Sequence, residues 1–249
     1  MEVALNSIID LKNYISQHND HKIRLFRGQM EDWPLDSKLV RLLRASRQIN
    51  EFYTIEQQIF KKFKDRYQRF HGKVLNDWDL LSLGQHYGLP TRLLDWTSNP
   101  LIALWFAFES VKSNDKDRVM FGLVVENDAM VDFQKDELFS GRFIKIFKTE
   151  PFDDRVVNQE SWFSIQPPQI FGQGGDGLPH FNEFNTFNEN ELFDCYLVKF
   201  KLKNSMRMEV LKYLNENEIN GIRIYPDLTG ICKTIEMNEI SENCDHNYE

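Results

Sequence analysis

Cysteine is scarce in this chain: 3 in 249 residues, an odd number without CxxC spacing. Cys195, Cys232 and Cys244 therefore suggest neither a disulfide framework nor a thiolate metal site, and a reducing, cytoplasmic setting is expected. No stretch approaches the roughly 20 apolar residues of a membrane-spanning helix, so no membrane partner is expected. Met1 to Asp10 lacks the basic start and apolar run of a secretory signal. No internal repeat appears, nor any linker between two cores. Positive charge is also short, with 30 Lys and Arg against 38 Asp and Glu for a net charge of −8. That balance argues against general nucleic-acid binding, which draws on surplus cations. Lys61, Lys62, Lys64, Arg66 and Arg69 do gather on one predicted helix, where they read as a solvated face. No second histidine or cysteine stands at ligand spacing from His86, so no metal is expected.

What is present is ample core material: 41% hydrophobic residues, 13% aromatic, 20 of them Phe. Helical spacing of apolar residues predicts helices over Ser7–Gln17, after Pro34 through Leu39, Leu42 and Leu43, and over Phe52–Phe70. A further helix is expected over Asp77–Tyr87, with Asp77 as N-cap and Gly88 in the C′ role. Asn99 and Pro100 should open a buried helix running from Leu101 to about Val111. Strands are expected at Lys22–Gly28, ending in Arg27 and a turn glycine, and at Val119–Val125. Weaker strand patterns occupy Arg142–Phe147 and Trp162–Ile165. Residues 172–190, rich in Gly and Asn, read as a loop or insertion. Leu192–Leu202 reads as a strand, Met206–Leu214 as a helix and Gly221–Tyr225 as a last strand. A closing helix follows from Thr229, then a polar tail over residues 241–249. The sum is one α+β domain over residues 1–240, with its core at about 20–235. Helices concentrate in the first half and strands in the second, giving a mixed or antiparallel sheet.

Chemistry concentrates between Gly84 and Pro100, read as a loop between two apolar helices: Gly-Gln-His-Tyr-Gly-Leu-Pro-Thr-Arg-Leu-Leu-Asp-Trp-Thr-Ser-Asn-Pro. So many competent groups in one connection suit a binding site more than a spacer. Arg27 at a strand end would pair with an anion, or else anchor a neighbouring acidic loop. His86 would act as a general acid or base, or stabilise the end of its helix. Arg92 and Asp95 are close enough in sequence for an internal salt bridge, and would otherwise support the pocket. Thr97 and Ser98 are either capping hydroxyls or ligand contacts. Tyr87 and Trp96 are either core or stacking surfaces. Gly88 and Pro90 set backbone shape, and Asp227 has the look of a turn residue. Gln159 carries no ionisable group, yet its amide can read another amide. A metal-independent phosphodiesterase or nuclease using His86, Arg92 and Asp95 is a weaker alternative.

Phe26-Arg27-Gly28, the segment His86–Thr97 and the following Asn-Pro-Leu-Ile-Ala-Leu-Trp-Phe-Ala together resemble the FRG-domain family, found mainly in bacteria and their phages. Arg155-Val-Val-Asn-Gln-Glu-Ser-Trp-Phe163 and Tyr225-Pro-Asp-Leu-Thr-Gly230 fit the same likeness, which spans about residues 23–231. The resemblance names a domain without fixing its chemistry. More distantly, the chain resembles ADP-ribosyltransferases of the Arg–Ser–Glu type. Those begin with an aromatic-Arg-Gly strand and continue with a Ser/Thr-rich strand leading into a helix with Ala-x-x-Phe-Ala, here Ala103–Ala107. That resemblance implies a transferase-like fold with NAD as substrate. Arg27 and Gly28 would lie at the diphosphate and Thr97 or Ser98 at the nicotinamide ribose. Glu160 or Gln159 would contact the ribose 2′-hydroxyl, with Asp227 and Glu236 as alternatives. It further implies a nucleotide partner, a macromolecular acceptor and a toxin or phage-defence role. The opposing expectation is a non-catalytic module that senses a nucleotide or phosphorylated ligand through the same pocket.

Overall fold

The computed structural model describes residues 2–17, 23–71, 74–110, 116–125, 129–140, 144–165 and 195–244. Its architecture is α+β, and among these residues it has nine α-helices and one seven-stranded mixed sheet. The strands are β1 (Glu2–Leu5), β2 (Ile23–Gln29), β3 (Leu93–Thr97), β4 (Arg118–Val125), β5 (Lys145–Phe147), β6 (Ser161–Ile165) and β7 (Cys195–Leu202). They lie in the order β1-β7-β4-β2-β3-β6-β5. Only β1 runs parallel to its neighbour β7; the other pairs are antiparallel. The sheet thus draws strands from both halves of the chain.

Alternation along β4 shows why the sheet is covered on both faces. Met120 enters one apolar cluster with Phe26, Val198 and Phe200. Val119, Phe121, Leu123 and Val125 enter another with Leu25, Leu94 and Trp96. The first cluster is closed by helices α1 (Ile8–Gln17), α5 (Pro100–Phe108) and α7 (Arg207–Glu216). α5 is apolar nearly all round and buried as its sequence requires, with the Asn99 side chain accepting from the Leu101 N–H and Pro100 at its start. The longest helix, α3 (Phe52–His71), and α4 (Asp77–His86) pack Phe60, Trp78 and Leu81 against Leu93 and Phe163 of β3 and β6. α2 (Lys38–Ala45) joins α3 in a smaller cluster. Lys61, Lys62, Arg66 and Arg69 are exposed on α3, while Lys64 pairs with Asp77 at 2.6 Å. No helix among the described residues is long and apolar enough to cross a membrane.

Several expectations need correction. Gly28 is not a turn residue: it lies inside β2, where a Cβ would stand 1.8 Å from the Ala103 carbonyl oxygen of α5. Only glycine lets α5 cross the strand so closely. α4 is capped by Asn76 rather than Asp77, the Asn76 side chain accepting from the Asp79 N–H. Gly88 does take the C′ role, with φ 88° and the paired bonds Gly88 N–H to Gln85 and Leu89 N–H to Gly84. The segment read as a loop contains a strand, β3, at the centre of the motif. Gly221–Tyr225 is not a strand: Gly221–Ile224 forms the short helix α8, its first turn closed by the Asn220 side chain on the Arg223 N–H. α6 (Asp154–Asn158) was not anticipated, and α9 (Leu228–Cys244) carries helix into the polar segment after Ser241. The expected 172–190 loop lies outside the described residues, as do residues 142 and 143 of the expected 142–147 strand.

Candidate functional site

A cleft of about 370 Å³ opens where β2 and β3 meet the end of α4, the turn before β6 and the residue after α8. Of the residues singled out by sequence, Arg27, Gly28, His86, Asp95, Trp96, Thr97 and Gln159 line it. Two strands place the first of these side by side, since Phe26 of β2 stands opposite Thr97 of β3 and Thr97 opposite Ser161 of β6. Thr97 is buried and its hydroxyl accepts from the Asn99 N–H at 3.1 Å, so it shapes the entry to α5 as well as the wall.

Arg27 and Asp95 form the charged centre. Arg27 Nη1 donates to the Asp95 backbone oxygen at 2.8 Å and stands 4.0 Å from its carboxylate. Arg27 Nε is buried without a hydrogen-bond partner. Burial lowers the Arg27 pKa from its ordinary value, with the Asp95 charge opposing; a guanidinium stays charged nonetheless. The Asp95 side chain is 62% exposed, and its Oδ1 accepts from Gln85 Nε2 at 2.8 Å. Gln85 in turn accepts from the Thr91 hydroxyl, so its amide is fixed in orientation. Asp95 is the one carboxylate lining the cleft among the described residues.

His86 ends α4 with Nε2 3.4 Å from Asp153 Oδ2, an ion pair when the ring is protonated. Its ring packs edge-on against Tyr87 and Phe152. Across the cleft, Arg155 of α6 pairs with Asp227 through Nε and Nη2 and places its guanidinium carbon 5.0 Å from the Tyr225 ring centre. The Arg155 hydrogen bond holds the Asp227 carboxyl below its ordinary value. Gln159 Nε2 donates to the Ile224 carbonyl at 3.2 Å, which leaves its own carbonyl oxygen to accept.

Arg92, Glu160, Ser98 and Tyr87 do not line the cleft, nor do the alternatives Asp227 and Glu236. Arg92 is 2% exposed and forms a bidentate pair with Glu56 of α3, not with Asp95. His86, Arg92 and Asp95 are therefore not one constellation. Glu160 adopts φ 47° and turns away, its carboxylate accepting from Ser98 Oγ and Asn99 Nδ2, both at 3.0 Å. Ser98 is spent on that bond, and Tyr87 lies exposed outside the lining. Conversely, Gln85, Phe106, Arg155, Ser161 and Tyr225 line the cleft without having been singled out. Arg155 and Tyr225 each begin a segment quoted for the family likeness, which was the available signal.

Residues 22–116 match a protein-family model described as FRG domain. The chain contains an FRG domain. No curated protein and no solved structure matches the chain. The FRG domain supplies Arg27, Gln85, His86, Asp95 and Thr97. Arg155, Gln159, Ser161 and Tyr225 come from beyond the matched residues, so the cleft needs both parts of the chain. Among the described residues, no group of three or more His, Cys, Asp or Glu could hold a metal ion.

Tyr225 gives the cleft wall a measurable property. Burial, reinforced by the Glu109 charge, pushes its phenol up to about 12. A raised folded-state value means that the phenol contributes stability below pH 10, lost as pH rises through about 12. Alkaline spectrophotometric titration should therefore show a late phenolate that Tyr225→Phe removes. Loss instead of a step at the ordinary tyrosine value would contradict the buried wall.

Proposed function

We propose that the cleft binds a nucleotide and that NAD is its substrate, with the nicotinamide–ribose end inside. The observation that carries this reading is the pairing of a partly buried arginine, Arg27, with one accessible carboxylate, Asp95, between aromatic walls. About 370 Å³ lies near the small end of ligand sites and suits part of a dinucleotide. Arg27 and Arg155 supply two guanidiniums for phosphate. The Gln159 carbonyl suits a carboxamide, and Phe106 and Tyr225 offer faces for a flat ring. Asp95 takes the place expected of Glu160: its carboxylate faces sugar hydroxyls and steadies positive charge as the bond from the anomeric carbon to nicotinamide lengthens. The products are nicotinamide and ADP-ribose, transferred to water or to a macromolecular acceptor. The distant likeness to ADP-ribosyltransferases supports the same chemistry, and the family context supports a toxin or phage-defence effector.

A second reading, a nucleotide-sensing module without turnover, is favoured by one observation. Both oxygens of Glu160 are committed to Ser98 and Asn99, and its neighbour in the cleft is an amide. Calorimetry with NAD followed by assay of free nicotinamide separates the two. Binding with release supports the enzyme, binding without release supports the sensor, and no binding removes NAD from both.

A further inference from the structure

A second cavity, of about 220 Å³, lies behind the cleft among α5, α7, α8 and α9. Its wall is mostly apolar, from Met208, Leu211, Leu214 and Met237. Two lining residues carry polar atoms that are buried and have no hydrogen-bond partner, Trp105 Nε1 and Thr234 Oγ1. Trp105 is 1% exposed, and an indole N–H has only a donor to offer. Leaving such a donor unpaired costs free energy, so native structures seldom keep one without a ligand or water to receive it. Lys212 also lines the cavity and makes no ion pair among the described residues.

The elements around the cavity pack closely. A Cβ on Gly221 would stand 2.7 Å from Thr234 Oγ1 and 2.8 Å from the Gly230 oxygen, so α8 crosses α9 at backbone contact. The Trp105 ring packs at 5.9 Å on Tyr225, and Lys233 Nζ lies over both rings. That stack is the partition between the two spaces: Tyr225 lines the cleft and Trp105 the cavity.

We propose that this cavity is a second ligand site, for a small amphipathic carboxylate. Its apolar wall takes a short hydrocarbon body. An acceptor-only headgroup satisfies the Trp105 N–H and the Thr234 hydroxyl, and its negative charge complements Lys212. A neutral alcohol of the same length lacks that charge. The inference does not depend on NAD, because none of these groups belongs to the cleft.

The test uses the full chain with hexanoate as probe and hexanol as control, by calorimetry and ligand-observed NMR. Hexanoate has about eight non-hydrogen atoms, for which saturable binding with a dissociation constant on the order of 1 mM is expected. Trp105→Phe keeps an aromatic ring while removing the donor together with the five-membered half of the indole, and should weaken binding about fivefold. Thr234→Val should weaken it similarly, and Lys212→Gln about threefold. Hexanol should bind more weakly than hexanoate. Absence of saturable hexanoate binding would overturn the proposal and leave water as the occupant. Binding undiminished in both Trp105→Phe and Thr234→Val would also overturn it, because the probe would then sit elsewhere.

Discussion

Glu56→Ala is expected to lower the unfolding free energy by about 3–5 kcal/mol, because it strands a buried arginine. Arg92 lies between α3 and β3 with its guanidinium 5.2 Å from the Phe52 ring centre and 5.6 Å from that of Phe139. Glu56 is equally buried and receives both Arg92 Nε and Nη2. Burial pushes the Glu56 carboxyl up from its ordinary value even though Arg92 pulls it down. Desolvation thus opposes the pair's attraction, and a paired apolar replacement should be tolerated where a single one is not. Glu56→Met with Arg92→Met is expected to retain stability within about 1–2 kcal/mol of the parent. Urea midpoints for the two singles and the double decide it. If either single variant unfolds at the parental midpoint, the pair does not hold α3 to the sheet.

That pair also shows where sequence reasoning stops. Arg92 and Asp95 are neighbours in the chain and opposite in charge, so a bond between them looked natural. Arg92, however, stands in the bend just before β3, whereas Asp95 lies inside the strand. Arg92 accordingly goes into the core, and Asp95 goes to the cleft. The same geometry governs Gln159 and Glu160, where a single left-handed residue sends one side chain into the cleft and the other to Ser98 and Asn99. Adjacent residues were legible as a motif, but their directions were not.

Helices were the more readable elements because apolar spacing records a helix locally. α1, α3, α4, α5 and α7 all fall close to their expected spans. Strands depend on distant partners. β1 has only four residues and pairs with β7 almost two hundred positions later, which nothing local announces. β3 was hidden because Asp95 interrupts its apolar run and turn residues flank it. Gly-Ile-Arg-Ile at 221–224 alternates like a strand, yet the Asn220 cap and the close crossing over Gly230 make it helical. Arg27 and the chemistry-rich segment before α5 were legible as neighbours, and they do meet at one cleft, since they are unusual in composition. Their complement from Arg155 and Tyr225 was not, because an arginine and a tyrosine far along the chain carry no sign of where the fold returns them.

Arg27 and Asp95 make the proposed chemistry separable from mere binding. Asp95→Asn preserves an acceptor for Gln85 but removes the charge, so NAD affinity should stay within about threefold while nicotinamide release falls about 100-fold. Arg27→Lys keeps the charge and loses the planar fork, so its main effect should be a KM raised about tenfold. Arg27→Ala should abolish both binding and release, with circular dichroism checking that β2 and β3 remain assembled. Glu160→Gln is the decisive control, because its carboxylate serves Ser98 and Asn99 outside the cleft. It should alter stability through those two bonds and leave turnover per folded molecule near the parental value. Full activity in Asp95→Asn, with loss in Glu160→Gln, would return the carboxylate's role to Glu160 and require that residue to leave its present partners when NAD enters. A parent that binds NAD without releasing nicotinamide would instead assign the Arg27–Asp95 pair to ligand sensing.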